Sequence, residues 1–276
     1  MTALEAAVLG VVEGVTEYLP VSSTGHLILA QHLLGLGAGE AEKQAAGAYA
    51  ICIQGGAILA VLGLYRHRVR QMGAGLLGRD PGGSRLAQCL LLAFLPAAAF
   101  GFLFGDCIEK HLFGLWPVVA AWFLGGLAIL ATPRLHRARK TSGGAALDAI
   151  TVRQALWIGL AQCLALWPGT SRSLATILGG ILAGLGLPAA VEFSFLLGVL
   201  TLGAATAYQA VQHGPLILAT LGWFAPAVGF LAATVSAAVA VRWLTCYLQR
   251  GGLEPFGYYR ILLAGATAFA LLALPP

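Results

Sequence analysis

Long apolar runs dominate the chain, and its polar residues fall in clusters between them. Six runs, at about 47–65, 88–105, 114–132, 190–210, 217–241 and 257–274, approach the roughly 20 residues that an α-helix needs to cross a bilayer. Two further regions are apolar but interrupted. Residues 3–36 break at Pro20-Val21-Ser22-Ser23-Thr24-Gly25-His26, and residues 151–186 break at Pro168-Gly169-Thr170-Ser171-Arg172-Ser173. Each arm is too short to span, and irregular backbone at membrane depth is tolerated only where protein buries it. The pattern predicts an all-α polytopic membrane protein with six transmembrane helices and two re-entrant helix-loop-helix hairpins.

Composition agrees. The chain is 59% hydrophobic and only 10% charged, against about a quarter charged in soluble domains. That excludes an ordinary soluble enzyme, a disordered chain and a nucleic-acid-binding surface. Three polar segments carry most of the 16 basic residues: Arg66, Arg68, Arg70, Arg79 and Arg85 in 66–87; Arg134, Arg137, Arg139, Lys140 and Arg153 in 133–153; Arg242, Arg250 and Arg260 in 242–260. The positive-inside rule makes all three cytoplasmic. Asp106, Glu109 and Lys110, the stretch around Glu40, Glu42 and Lys43, and both termini then face out. The first hairpin enters from outside and the second from the cytoplasm.

Leu19-Pro20-Val21-Ser22-Ser23 and Trp167-Pro168-Gly169-Thr170-Ser171 recur 148 residues apart. A broken hairpin plus three spans, used twice, predicts inverted-topology repeats within one membrane domain. Repeat 1 covers about 1–132 and repeat 2 about 150–274, joined by a cytoplasmic linker at about 133–150. Glu5, Glu13 and Glu17 stand where an ordinary signal peptide carries a basic region. The five cysteines are isolated, with no CxxC pair, and read as small buried hydrophobes. Gly10 with Gly14, and Gly180 with Gly184, have small-xxx-small spacing, a weak signal among 37 glycines.

With the loops set aside, Glu5, Glu13, Glu17, Arg172 and Glu192 remain in apolar segments, and Arg172 is the one basic residue expected at membrane depth. Ionisable groups there are expensive and mark function by default. Glu5, near a helix end, reads as reaching water. Glu13 and Glu17 share a helix face and need a bridging metal, Arg172 or a protonated His26. A buried ion-pair network that merely fixes the hairpin would use the same residues. The loop around Arg172 restarts a helix, whose free N–H groups attract anions. Thr170, Ser171 and Ser173 surround a guanidinium suited to phosphate, and Ser22, Ser23, Thr24 and His26 repeat the design. Together these parts read as a phosphate or diphosphate site. His26 could be nucleophile or general acid-base, or Ser23 could be the nucleophile with His26 as base. A lipid or anion transporter would use similar parts, though it would not need the Ser–His pair. A purely structural membrane protein leaves them unexplained.

The segments Glu13-Gly14-Val15-Thr16-Glu17-Tyr18-Leu19-Pro20-Val21-Ser22-Ser23-Thr24-Gly25-His26 and Ala161-Gln162-Cys163-Leu164-Ala165-Leu166-Trp167-Pro168-Gly169-Thr170-Ser171-Arg172-Ser173 resemble the bacterial undecaprenyl-diphosphate phosphatases of the bacitracin-resistance type. Support comes from 53–61, Leu95-Pro96-Ala97-Ala98 and Glu192-Phe193-Ser194-Phe195-Leu196-Leu197. The resemblance implies an inner-membrane enzyme that removes the terminal phosphate of undecaprenyl diphosphate, with a pocket open to the outer face and a divalent cation, Mg or Ca. It implies Glu13 and Glu17 as metal or acid-base groups and Ser23 and His26 at the phosphoryl centre. Arg172, helped by Ser171 and Ser173, would clamp the diphosphate. The expected partners are the polyprenyl diphosphate and membrane lipids, with no nucleic acid, and the Gly-rich helices would permit a homodimer. Leu174, where the family commonly has Gly, and Leu200, where it often has Pro, are departures expected to affect packing more than class.

Overall fold

The computed structural model describes residues 1–36, 40–138 and 144–273, except the side chains of 40–45, 106, 109 and 133–138. Part of the charge argument (Glu40, Glu42, Lys43, Asp106, Glu109, Arg134, Arg137, Arg139 and Lys140) therefore lies outside the described residues. Eleven α-helices follow in order: α1 (Ala3–Thr16), α2 (Ser23–Leu33), α3 (Glu40–Leu64), α4 (Arg66–Leu76), α5 (Pro81–Leu112), α6 (Leu115–Ala138), α7 (Val152–Gln162), α8 (Arg172–Leu182), α9 (Leu187–Leu221), α10 (Phe224–Leu248) and α11 (Glu254–Ala273). Among the described residues the only β pairing is an isolated bridge between Ala145 and Leu185. Helices α3, α5, α6, α9, α10 and α11 are long and apolar enough to cross a membrane, which makes this a multi-pass membrane protein. Phe102, Val211, Leu262 and Phe269 stand fully out from the bundle, as side chains do when lipid is the solvent.

Caps and breakers set the boundaries. Reciprocal capping boxes, Thr2 with Glu5 and Thr151 with Gln154, open α1 and α7, satisfying N–H groups that a helix start leaves free. Asp80 caps α5 with Pro81 in its first turn, so the helix begins seven residues before the expected span, and the basic 66–87 segment contains α4. The expected connection at 211–216 is instead helical. Helix α9 runs through Pro215 and stops at Gly222, whose φ is 69°. Leu200 sits within this unbroken helix.

Close backbone approach organises the packing. Helix α1 lies parallel to α10. A Cβ on Gly10 would stand 2.2 Å from the Gly229 carbonyl oxygen, and one on Gly14 would stand 2.4 Å from that of Ala233. The Gly10–Gly14 spacing is thus a helix contact. Helix α7 lies parallel to α5, with Gly159 against the Ala93 backbone. Helix α8 packs between α7 and α9, Gly179 meeting Ala161 and Gly180 meeting Ala190. Gly184, at φ 96°, belongs to the turn after α8.

Two charges sit elsewhere than expected. Glu192 pairs with Arg68 at 2.9 Å, and Arg68 also reaches Asp148 at 2.7 Å. This network ties the start of α9 to α4 and the Leu147–Ala149 turn, and explains why an acid begins an apolar helix. Arg260 is not in a connecting loop. It lies two turns inside α11 and is fully buried, so Arg172 is not the sole basic residue within the bundle. Positive-inside counting fails here because it scores sequence distance from a span, and this side chain turns inward. Glu5, in its capping box, reaches water as expected.

Gly14→Leu should prevent α1 from seating on α10, since overpacking costs about 1–3 kcal/mol or more. Loss of the monodisperse gel-filtration peak in detergent reads this out. Gly63→Leu, with nothing within 4 Å, should leave it intact.

Candidate active site

Both interrupted regions restart their helices in the same way. The residue before α2 is Ser22, at φ 74° and ψ 103°, and the residue before α8 is Ser171, at φ 76° and ψ 115°. They are the only described non-glycine residues with positive φ, a strain of about 1–3 kcal/mol each of the kind that clusters at functional sites. The matching positions are 149 residues apart, not 148. The second loop has one more residue between its proline and its cap, so Ser23 corresponds to Arg172. Gly169, at φ 94°, is pressed against the Val118 backbone of α6, a place closed to any side chain.

The two loop tips meet. Arg172 Nη2 donates to Glu17 Oε1 at 2.9 Å, and Nη1 donates to the Ser194 carbonyl at 2.9 Å. Its guanidinium lies 5.1 Å from the Tyr18 ring centroid, a cation–π distance. Gly198 makes the room, since a Cβ there would fall 2.4–2.5 Å from the guanidinium. The second oxygen of Glu17 accepts the Ser23 hydroxyl. Glu17 therefore bridges a nucleophile candidate and a cation, with its side chain and that of Arg172 at most 9% exposed. Ser173 donates to the Leu19 carbonyl at 2.9 Å and lies 2.9 Å from Ser171 Oγ, which itself caps the Leu174 N–H. Thr176 joins Ser194 at 2.6 Å. Leu174 is buried in the core and does not narrow the site.

A cavity of about 1000 Å³ opens over this pair. Glu17, Ser22, Ser23, Thr24, Ser171 and Arg172 line its floor. One wall is apolar, from Phe94, Ala97, Gly101 and Phe102 of α5. The other carries Thr201, Gln209 and His213 at four- and eight-residue spacing on α9. Four expected site residues, Glu13, His26, Thr170 and Ser173, do not line the cavity. Ser173 is fully buried as a strap between the loops. Thr170 holds the turn through its N–H to Trp167. His26 faces away, with Nδ1 2.6 Å from the Ser22 carbonyl and Nε2 2.7 Å from the Tyr259 hydroxyl. A carbonyl only accepts, so Nδ1 carries the proton and Nε2 accepts from Tyr259. His26 therefore holds the strained Ser22 cap and does not reach Ser23.

The Glu13 carboxylate is completely buried beside that of Glu17, and apart from that neighbouring carboxylate its oxygens find no hydrogen-bond partner. Bare acceptors at this depth are costly, so this carboxylate suits a divalent cation. No group of three His, Cys, Asp or Glu side chains gathers among the described residues. Sequence reasoning did not find Tyr18, Ser194 or Gly198, which act through packing. It also did not single out Tyr259 or Arg260, which carry polar groups on a helix that reads as an ordinary span.

Residues 6–266 match the family described as bacitracin resistance protein BacA. An undecaprenyl-diphosphatase of Sorangium cellulosum is 47% identical over 260 residues, covering 94% of this chain and 83% of that protein. Undecaprenyl-diphosphatase 2 of Rhodospirillum rubrum is 46% identical over 271 residues, 97% of this chain and 95% of its own. Undecaprenyl-diphosphatase 1 of Chromobacterium violaceum is 44% identical over 270 residues, 97% and 93%. With nearly the whole length matched and the two loop motifs joined in one site, the chain belongs to the bacitracin resistance protein BacA family.

Proposed function

We propose that the protein hydrolyses undecaprenyl diphosphate to undecaprenyl phosphate and inorganic phosphate, recycling the carrier lipid for cell-wall synthesis. The relatives named undecaprenyl-diphosphatase support this. The observation that carries it is the Ser23–Glu17–Arg172 chain on the cavity floor.

The diphosphate sits over the starts of α2 and α8. No side chain caps α2, leaving its first N–H groups for phosphate oxygens. Arg172, which lines the cavity floor, supplies the positive charge beside them. Ser23 Oγ attacks the terminal phosphorus while Glu17 takes its proton. The bond from that phosphorus to the bridging oxygen breaks, and undecaprenyl phosphate leaves with the electron pair. Glu17 hands that proton to the departing phosphate. Water then attacks the phosphoserine phosphorus and gives its proton to Glu17, the bond to Ser23 Oγ breaks, and Glu17 returns the proton to that oxygen as inorganic phosphate leaves. Arg172 offsets charge on the transferring phosphoryl oxygens. The polyprenyl tail lies along the apolar wall of α5. Glu13, with Glu17, would hold Mg or Ca, and such a cation would offset negative charge at the phosphoryl centre.

In this reading the interrupted regions are re-entrant hairpins of inverted repeats in the bacterial inner membrane. The parallel pairing of α1 with α10 and α7 with α5, and the matched caps, support that. The cavity extends along α5 to Phe113 and along α9 to His213, away from the basic segments, and so toward the outer face.

Purified protein in detergent, without compartments, should release phosphate from the C55 diphosphate, an outcome transport alone does not give. Ser23→Ala and Glu17→Gln should each lower kcat by at least about 100-fold, and the double variant little further, since groups acting as a unit are not additive. Full activity in Ser23→Ala would remove serine as nucleophile.

Gly198→Ala should displace the guanidinium and lower kcat/KM by at least about tenfold, measured by the same assay on a protein of unchanged melting temperature. Chelator should abolish release, and Mg or Ca should restore it. Undiminished turnover in EDTA would rule out the cation.

A further inference from the structure

Arg260 is the largest buried charge that the mechanism leaves unused. It is 0% exposed, and none of the ion pairs among the described residues involves it. A lone guanidinium in a low-dielectric interior is expensive unless its donors are satisfied. Here backbone carbonyls alone satisfy them. Nη2 donates to Ala121 at 2.8 Å and to Gly169 at 2.9 Å, Nη1 to Pro20 at 3.3 Å, and Nε to Trp122 at 3.3 Å. Pro20 lies in the first loop, Gly169 in the second, and Ala121 and Trp122 in α6.

The choice of carbonyls is informative. Pro20 lies two residues before the strained cap Ser22, and Gly169 lies two residues before the strained cap Ser171. One rigid, planar fork therefore holds the equivalent backbone oxygen of both loops and references both to α6. The preceding residue on α11 continues the grip, because the Tyr259 hydroxyl meets His26, which holds the Ser22 carbonyl. The site for the guanidinium is built. A Cβ on Gly125 would stand 2.2 Å from Nη2, so α6 keeps a glycine where Arg260 passes.

Resting on the hydrolase reading, we infer that Arg260 is a positioning residue that sets the register between the loop carrying Ser23 and the loop carrying Arg172. Ser23 attacks from one loop a phosphoryl group held by the other. The distance between nucleophile and phosphorus thus depends on how the loops sit relative to one another. A misplacement near 1 Å costs about 100-fold in rate. Substrate affinity, which draws on Arg172 and on the apolar wall within the cavity, should change little. Lysine keeps the charge but not the fork and can reach only some of the four carbonyls.

The test compares Arg260→Met, Arg260→Lys and Gly125→Ala with the unaltered protein, using phosphate release from the C55 diphosphate normalised to folded, monodisperse protein. The expected result is a kcat about 100-fold lower in Arg260→Met, partly recovered in Arg260→Lys, and at least about tenfold lower in Gly125→Ala, with KM within about threefold throughout. If Arg260→Met does not fold, the other two variants carry the comparison. Unchanged kcat per folded molecule would make Arg260 a structural residue and overturn the inference. Raised KM at unchanged kcat would make it a charge that attracts substrate and would equally overturn it. Failure of the hydrolase reading is separate, because it is read as absent phosphate release from the unaltered protein.

Discussion

A guanidinium and a carboxylate meet deep among apolar helices, and much else in this fold follows from that contact. Neither Arg172 nor Glu17 is tolerable alone at that depth, where breaking one partner from a buried pair costs about 3–5 kcal/mol. Bringing them together requires two chain segments, 155 residues apart, to end inside the bundle. Each must therefore interrupt its helix, and each interruption leaves free backbone groups. The Ser171 cap, the Ser173 strap and the carbonyl contacts of Arg260 satisfy part of those groups, and the first N–H groups of α2 stay uncapped by any side chain. The glycines at 10, 14 and 229 let α1 lie close enough to α10 to bring Glu17 to the meeting point.

The same arrangement separates two carboxylates that look alike in the sequence. Glu13 and Glu17 are one helical turn apart, yet Glu17 has both oxygens engaged by donors while Glu13 has neither. In the proposed mechanism Glu17 takes the proton and Glu13 is a candidate ligand for a cation. Above them the cavity has a chemical polarity matched to an amphiphile. Its floor carries charge and hydroxyls, α5 offers an apolar wall, and α9 offers a mixed one in which Thr201, Gln209 and His213 stand among Leu202, Ala204 and Ala205.

Much of this was legible in the chain because depth is encoded in composition. The six spans, the two interruptions, and the grouping of Ser23, Glu17 and Arg172 follow from where polar residues break apolar runs. What was not legible depends on which way a side chain turns. His26 lies three residues after Ser23, but a helix places those positions on a shared flank and does not decide which neighbour claims the ring. Tyr259 claims it. Arg260 follows a basic segment and counts as one more loop charge until packing shows it pointing inward. Residues 211–216 fall between two expected spans, yet the long helix α9 runs through them. The 148-residue repeat was off by one because the second loop carries an extra residue before its cap, which only backbone angles reveal.

Arg260 also bears on when the site comes into being. Both loops and all the residues that touch the cavity precede α11 in the chain. The carbonyls of Pro20 and Gly169 therefore wait for a partner that is synthesised after them. Until α11 inserts against α6, the two loops lack the clamp between them, and the strained caps lack the Tyr259–His26 support. A nascent chain thus carries every reactive group before it carries their alignment. A chain that stops before α11 would keep Ser23, Glu17 and Arg172 but lack the contacts to the Pro20 and Gly169 carbonyls that set their loops against each other.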